Sequence, residues 1–187
     1  MRLETDDLPA ALATDLDGNF ERLVRLYQNR LYAFAWRLSG SPNDAEEIAE
    51  DAFVHAYRAL GRYPVQQVQT LALRPWLYRI ALNVYRNRVR GRRLQTTRLE
   101  GLGDGTGRQP ADDPAYQPEL MAERSEQRAE LAALVAALPE RYRAAVILRH
   151  IQGLSYAEAA AVLGQPVGTV KANVHRGVQW LRERWED

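Results

Sequence analysis

"GLSYAEAAAVLGQPVGTVKANVHRGVQWLRERW", residues 153–185, keeps its turn-forming residues in the middle and helix formers on either side. Ser155 with Glu158 three residues on is a capping box, which predicts a helix from Tyr156. Gly164 ends that helix, and Pro166 suits the start of the next one, whose apolar side is Val167, Val170, Val174 and Leu181. Two short helices at a tight glycine-containing turn describe a helix-turn-helix. That motif needs a small residue where the helices cross and an apolar anchor in the second. Ala160 and Val170 stand at those places. The second helix carries Thr169, Lys171, Asn173, His175 and Arg176, side chains able to reach phosphates and base edges from the major groove. Spacing alone also admits a surface helix with a solvated polar face.

A chain of 187 residues, 46% hydrophobic, is long enough for one sizeable domain or two small ones. It has no cysteine, which excludes disulfides and thiolate metal sites and fits a reducing compartment. The amino-terminal stretch is acidic where a signal peptide is basic, and no apolar run approaches a bilayer span, so a cytoplasmic protein without membrane insertion is expected. Net charge is only +1, but it is segregated. From Ala52 to Leu99 there is no Asp or Glu, while ten arginines fall in that window, among them Arg62, Arg74, Arg79, Arg86 and Arg90. Such a stretch suits a binder of phosphate backbones. Just before it, "NDAEEIAED" groups Asp44, Glu46, Glu47, Glu50 and Asp51.

Working outward, helical periodicity recurs through the chain. Phe20, Leu23, Tyr27, Leu31, Phe34 and Leu38 make one stripe. Ala45, Ile48, Ala52, Ala56 and Leu60 make a second, capped near Asn43 or Asp44. Residues 65–74 have no sustained period and read as mostly loop. Pro75 opens a third helix with Leu77, Ile80, Ala81 and Val84 inward, and Arg79, Arg86, Arg90 and Arg93 together on another face. Leu131, Leu134, Val135 and Leu138 mark a helix that stops before Pro139, and Tyr142, Val146 and Ile151 line the next. Between them, "GLGDGTGRQPADDPAYQP" is rich in Gly, Pro and Asp and reads as a linker. The expectation is an all-α protein of two small helical domains joined by a flexible linker, the second containing the helix-turn-helix. Its parts are an amino-terminal arm over 1–17, a first domain over 18–93, a linker over 94–125 and a second domain over 126–187.

At this point the chain resembles a family. "VAALPERYRAAVILRHIQG" and the helix-turn-helix after it are similar to the carboxy-terminal domain of bacterial RNA polymerase sigma factors of the extracytoplasmic-function (ECF) group. "FERLVRLYQNRLYAFAWRLSGSPNDAEEIAEDAFVHAYRAL" resembles their helices that bind core polymerase, and "RPWLYRIALNVYRNRVRGRR" their promoter-melting, minus-ten-reading helix. The resemblance implies a factor that binds core RNA polymerase and directs promoter-specific transcription initiation. Asp44, Glu46, Glu47, Glu50, Asp51 and Phe53 would meet the polymerase, Glu50 standing where the family commonly has glutamine. Arg62, Arg74, Arg79, Asn83, Arg86 and Arg90 would meet melted minus-ten DNA, with the 62–74 loop forming a pocket for an extruded base. Thr169, Lys171, Asn173, His175 and Arg176 would read duplex minus-thirty-five DNA. There Ala172, Asn173 and Val178 replace the family's usual serine, arginine and arginine, so this face is less basic than in relatives. The linker would thread through the polymerase, and an anti-sigma factor is a further partner common in the group.

The competing reading is a stand-alone helix-turn-helix regulator, which leaves the acidic cluster, the arginine-rich helix and the linker without a shared purpose. An enzyme is not expected. His55, His150 and His175 are scattered without ligand spacing, no phosphate-binding glycine loop follows a strand, and neither a metal nor another cofactor is implied.

Overall fold

The structure, a computed structural model, describes the backbone of residues 7–96 and 130–185 and the side chains of 7–92 and 130–185. The greater part of the linker and the Arg93 side chain lie outside those residues. The described residues are helical throughout apart from turns and short connections. In chain order the helices are α1 (Leu8–Thr14), α2 (Leu16–Ser39), α3 (Pro42–Leu60), α4 (Val65–Gln69) and α5 (Leu73–Thr96). After the linker come α6 (130–137), α7 (Glu140–Val146) running into a π-helical turn at Ile147–Ile151, α8 (Tyr156–Leu163) and α9 (Val167–Trp185).

The first unit is built on α2, α3 and α5. Asp15 caps α2 by accepting from the Gly18 amide at 3.0 Å, and Gly40 ends it in the left-handed region at φ 72°. Ser41 caps α3 through the Asp44 amide. The apolar stripes of α2 and α3 meet as the periodicity predicts: Leu23, Leu31, Phe34, Ala45, Ala52 and Ala56 are fully or almost fully buried. Small residues along α3 let the helices approach closely. Phe20 remains at the rim, edge-on to Phe53 and Tyr57.

Three features add to or change the expectations. Of the expected arm over 1–17, residues 8–14 form α1, which packs on α2 and α4 with Leu8 and Leu12 buried, while residues 1–6 lie outside the described residues. The 65–74 stretch is not mostly loop, since α4 forms under that cover with Val68 inward and α5 begins at Leu73. In the second unit Ile151 is exposed, because the π-helical turn swings it out of the stripe set by Ile147 and Leu148.

The second unit pairs α7 with α9 and closes α8 over them. Gly177 permits the crossing of α7 and α9: a β-carbon there would lie 2.5 Å from Val146 Cγ2 and 3.2 Å from Tyr142 Cβ. Gly177→Val should therefore destabilise the chain by about 2 kcal/mol through overpacking. Denaturant unfolding of the full chain measures this, and an unchanged midpoint would refute the close approach.

Candidate nucleic-acid interface

The helix-turn-helix takes the form its local signals dictate. Ser155 Oγ accepts from the Glu158 amide at 3.2 Å, and the Ser155 amide donates to Glu158 Oε2 at 2.7 Å. That hydrogen bond to the Ser155 amide is the main cause holding the Glu158 carboxyl below its usual pKa. Gly164 turns the chain at φ 65°, donating back to the Ala160 carbonyl. Ala160 is buried at the crossing and Val170 anchors α9 with no exposure. Val167, expected inward, is exposed because it lies in the first turn of α9, before the helix reaches its neighbours.

Thr169, Lys171, His175 and Arg176 are all exposed on α9. The Lys171 ammonium sits 5.7 Å from the centre of the Tyr156 ring, a contact that steadies a long side chain without neutralising it. Asn173 is different. It is buried and its amide donates to Gln165 Oε1 at 3.3 Å, tying α9 to the turn. Asn173 therefore faces the interior of the motif, although its neighbours by sequence face out.

On α5, Arg79, Asn83 and Arg90 are exposed and Arg86 is partly so, forming one face at spacings of four, three and four. None of these arginines makes an ion pair among the described residues. Arg62 is exposed just past the end of α3. Arg74 is not on that face. It donates to the backbone carbonyl of Gln152 in the second unit, and its Nε is buried without a partner among the described residues.

That contact belongs to a seam between the two units. Tyr78 Oη donates to Gln152 Oε1 at 2.6 Å, Arg143 Nη1 donates to the Leu38 carbonyl at 2.9 Å, and α5 packs along α8. Tyr78 is fully buried there, and burial raises its pKa. Periodicity did not reveal Tyr78, Arg143 or Gln152 as a group, because none carries a local signal.

The acidic cluster divides in a way that one dimension hides. Asp44 accepts hydrogen bonds from Nη1 and Nη2 of Arg92, while Arg88 bridges Glu47 and Asp51, the latter at 3.0 Å. The Arg92 hydrogen bond is the main cause holding the Asp44 carboxyl below its usual pKa. These pairs staple α3 to α5. Glu46 and Glu50 stay exposed and unpaired among the described residues, and Phe53 is buried under Phe20 rather than presented outward. Among the described residues no group of His, Asp and Glu is placed to hold a metal ion, and no helix is long and apolar enough to cross a membrane.

Two helical units, one with a charged helix-turn-helix and one with an arginine-lined helix, have the form of a nucleic-acid-binding protein. Comparison narrows the class. The family description "Sigma-70 region 2" matches residues 23–95 and "Sigma-70, region 4" matches 128–181. The chain is 39% identical over 188 residues to the ECF RNA polymerase sigma factor SigE of Mycolicibacterium smegmatis, covering 97% of this chain and 70% of that protein. It is 30% identical to SigW of Bacillus subtilis, covering 90% and 89%. Among solved structures, CnrH in complex with the cytosolic domain of CnrY is similar at a TM-score of 0.69 with 26% identity, covering 98% of this chain and 97% of that one. The sigma factor RpoE in complex with the anti-sigma factor NepR from Bartonella quintana shares the fold, at TM-score 0.72 and 24% identity over 89% and 96%.

The chain belongs to the ECF group of RNA polymerase sigma factors. It is a transcription initiation factor, and sigma factors as a class are non-enzymatic.

Proposed function

We propose that the chain docks on core RNA polymerase through its first unit, captures melted minus-ten DNA along α5, and reads duplex minus-thirty-five DNA with α9. The observation that carries this reading is the pair of exposed polar faces, Arg79–Asn83–Arg86–Arg90 and Lys171–His175–Arg176, on two helices whose other sides are buried. Unpaired arginines supply phosphate contacts, and each contact releases counterions, so binding falls steeply with salt. Arg62 extends the first face and Thr169 the second. Arg74 joins the first face once the seam opens.

Glu46 and Glu50 are the docking carboxylates on the polymerase side, since Asp44, Glu47 and Asp51 are already paired within the chain. Asn173 and Phe53 act through the interior, one holding the helix-turn-helix and the other supporting α3. The first unit spans 7–96, with α1 included, and the second begins by 130. The protein acts in the cytoplasm, where polymerase is, without catalytic residues, metal or cofactor. An anti-sigma factor is a further partner of the chain.

The test is co-elution of the purified chain with bacterial core polymerase at moderate salt. A one-to-one complex is expected, and Glu46→Lys with Glu50→Lys should weaken it about tenfold while leaving helicity unchanged. Failure of the folded, inhibitor-free chain to associate would overturn the reading.

A further inference from the structure

The stretch between α3 and α5 is tied to the core at its two ends, where Tyr63 meets the Trp76 ring at 6.1 Å and Leu71 is partly buried. Residues 61–72 contain one five-residue helix, too short to be stable alone, and Val68 is its only buried side chain. Gln66, Gln67, Gln69 and Thr70 project outward, and no carboxylate occurs anywhere from residue 52 to 92. Neutral amides and a hydroxyl beside Arg62 suit the donor and acceptor edge of an unstacked base next to its phosphate. Such a surface discriminates between bases only if its backbone is held in place.

Between those ends, α4 is held by α1. Leu8 is fully buried and Leu12 nearly so where α1 packs against α4 and α2. Asp7 grips Arg22 of α2 with both carboxylate oxygens, at 2.8 and 3.2 Å. Asn19 of α2 donates to the carbonyls of Ala11 and Asp15 at 3.2 and 2.8 Å. The helix thus transmits the rigidity of α2 to α4. It lies before residue 23, where the first family match begins.

We infer that α1 is a positioning element: by clamping α4 onto α2 it sets the shape of the 61–72 loop and so the choice of base in the melted promoter strand. This rests on the reading that the first unit captures melted minus-ten DNA. Being a positioning role, it affects discrimination between bases more than affinity for polymerase or for DNA in general.

The experiment uses polymerase holoenzyme made with the full chain and forked templates carrying each of the four bases at every single-stranded minus-ten position. Leu12→Ala should reduce the ratio between best and worst base about fivefold at one position, while core affinity and binding to the best-matched duplex part stay within about twofold. Leu12→Met, which conserves volume, should restore the ratio. Asp7→Asn loosens the same clamp from the surface without a cavity and should give a smaller loss in the same direction, which covers the case of a poorly folded Leu12→Ala chain. An equal loss on every template, or an unchanged ratio in both variants, would overturn the inference. A wild-type holoenzyme that forms but prefers no base in the melted strand would overturn the underlying reading as well.

Discussion

Replacing Lys171 or Arg176 by alanine should lower transcription about tenfold from promoters with the preferred minus-thirty-five sequence and barely at all from promoters without it. A side chain that reads a base edge is worth about 1–3 kcal/mol of discrimination, whereas a phosphate contact weakens all sequences alike. Both residues are exposed on the outward side of α9. Lys171 also has its ammonium steadied over Tyr156, so Tyr156→Leu should reproduce a fraction of its effect. In vitro transcription across a library randomised in the upstream element is the measurement. Uniform loss on every template would reduce these residues to phosphate binders. The low basicity of this face, compared with what the resemblance implied, has a structural side: Asn173 is buried and Val178 partly so. A change at Asn173 should act on stability of the motif rather than on the sequence preferred.

The second large effect concerns the seam. At about 3.4 Å per base pair, elements about 25 base pairs apart lie on the order of 80 Å from each other. Two units of this size in contact have centres on the order of 30 Å apart. On the proposed reading the packed arrangement cannot engage both elements, and the units are expected to part on the polymerase. The chain has no cysteine, so dyes can be placed at Asn29→Cys and Glu183→Cys, both exposed. Energy transfer should be high in the free chain and almost absent in the promoter complex. Tyr78→Phe with Gln152→Ala removes the Tyr78–Gln152 hydrogen bond between side chains. At about 1 kcal/mol for that bond and further loss from the shortened Gln152, the free population should shift roughly tenfold toward the open form. Equal transfer in free and bound states would show that the seam is not what opens.

Arg74 makes the seam consequential. Its guanidinium is expected at DNA, yet in the packed chain it serves a carbonyl of the other unit with one nitrogen unsatisfied. A buried polar nitrogen without a partner costs free energy, which offsets part of what the Arg74–Gln152 contact contributes to the seam. On α3 the pairing is instead within one unit, where Asp44, Glu47 and Asp51 pair with Arg92 and Arg88.

Much of this protein is determined by sequence alone. The helices, their caps and the helix-turn-helix follow from signals that act within one or two turns: apolar residues three and four apart, the Ser155–Glu158 box, and glycine at φ 65° ending α8. The segregation of acidic and basic residues is likewise plain in one dimension. What only the tertiary structure decided is which of those charges remain free. Arg88 and Arg92 find their partners 37 to 48 residues away, and Arg74 finds its carbonyl 78 residues away. Periodicity identifies one buried side of α5, but α2 and α3 cover one side while α8 covers another, so Tyr78, Leu82 and Tyr85 are buried as well. The burial of Asn173 and the cover that α1 gives to α4 have the same origin. Local patterns report what a helix does with its own neighbours, whereas contacts across the chain depend on how the finished elements pack.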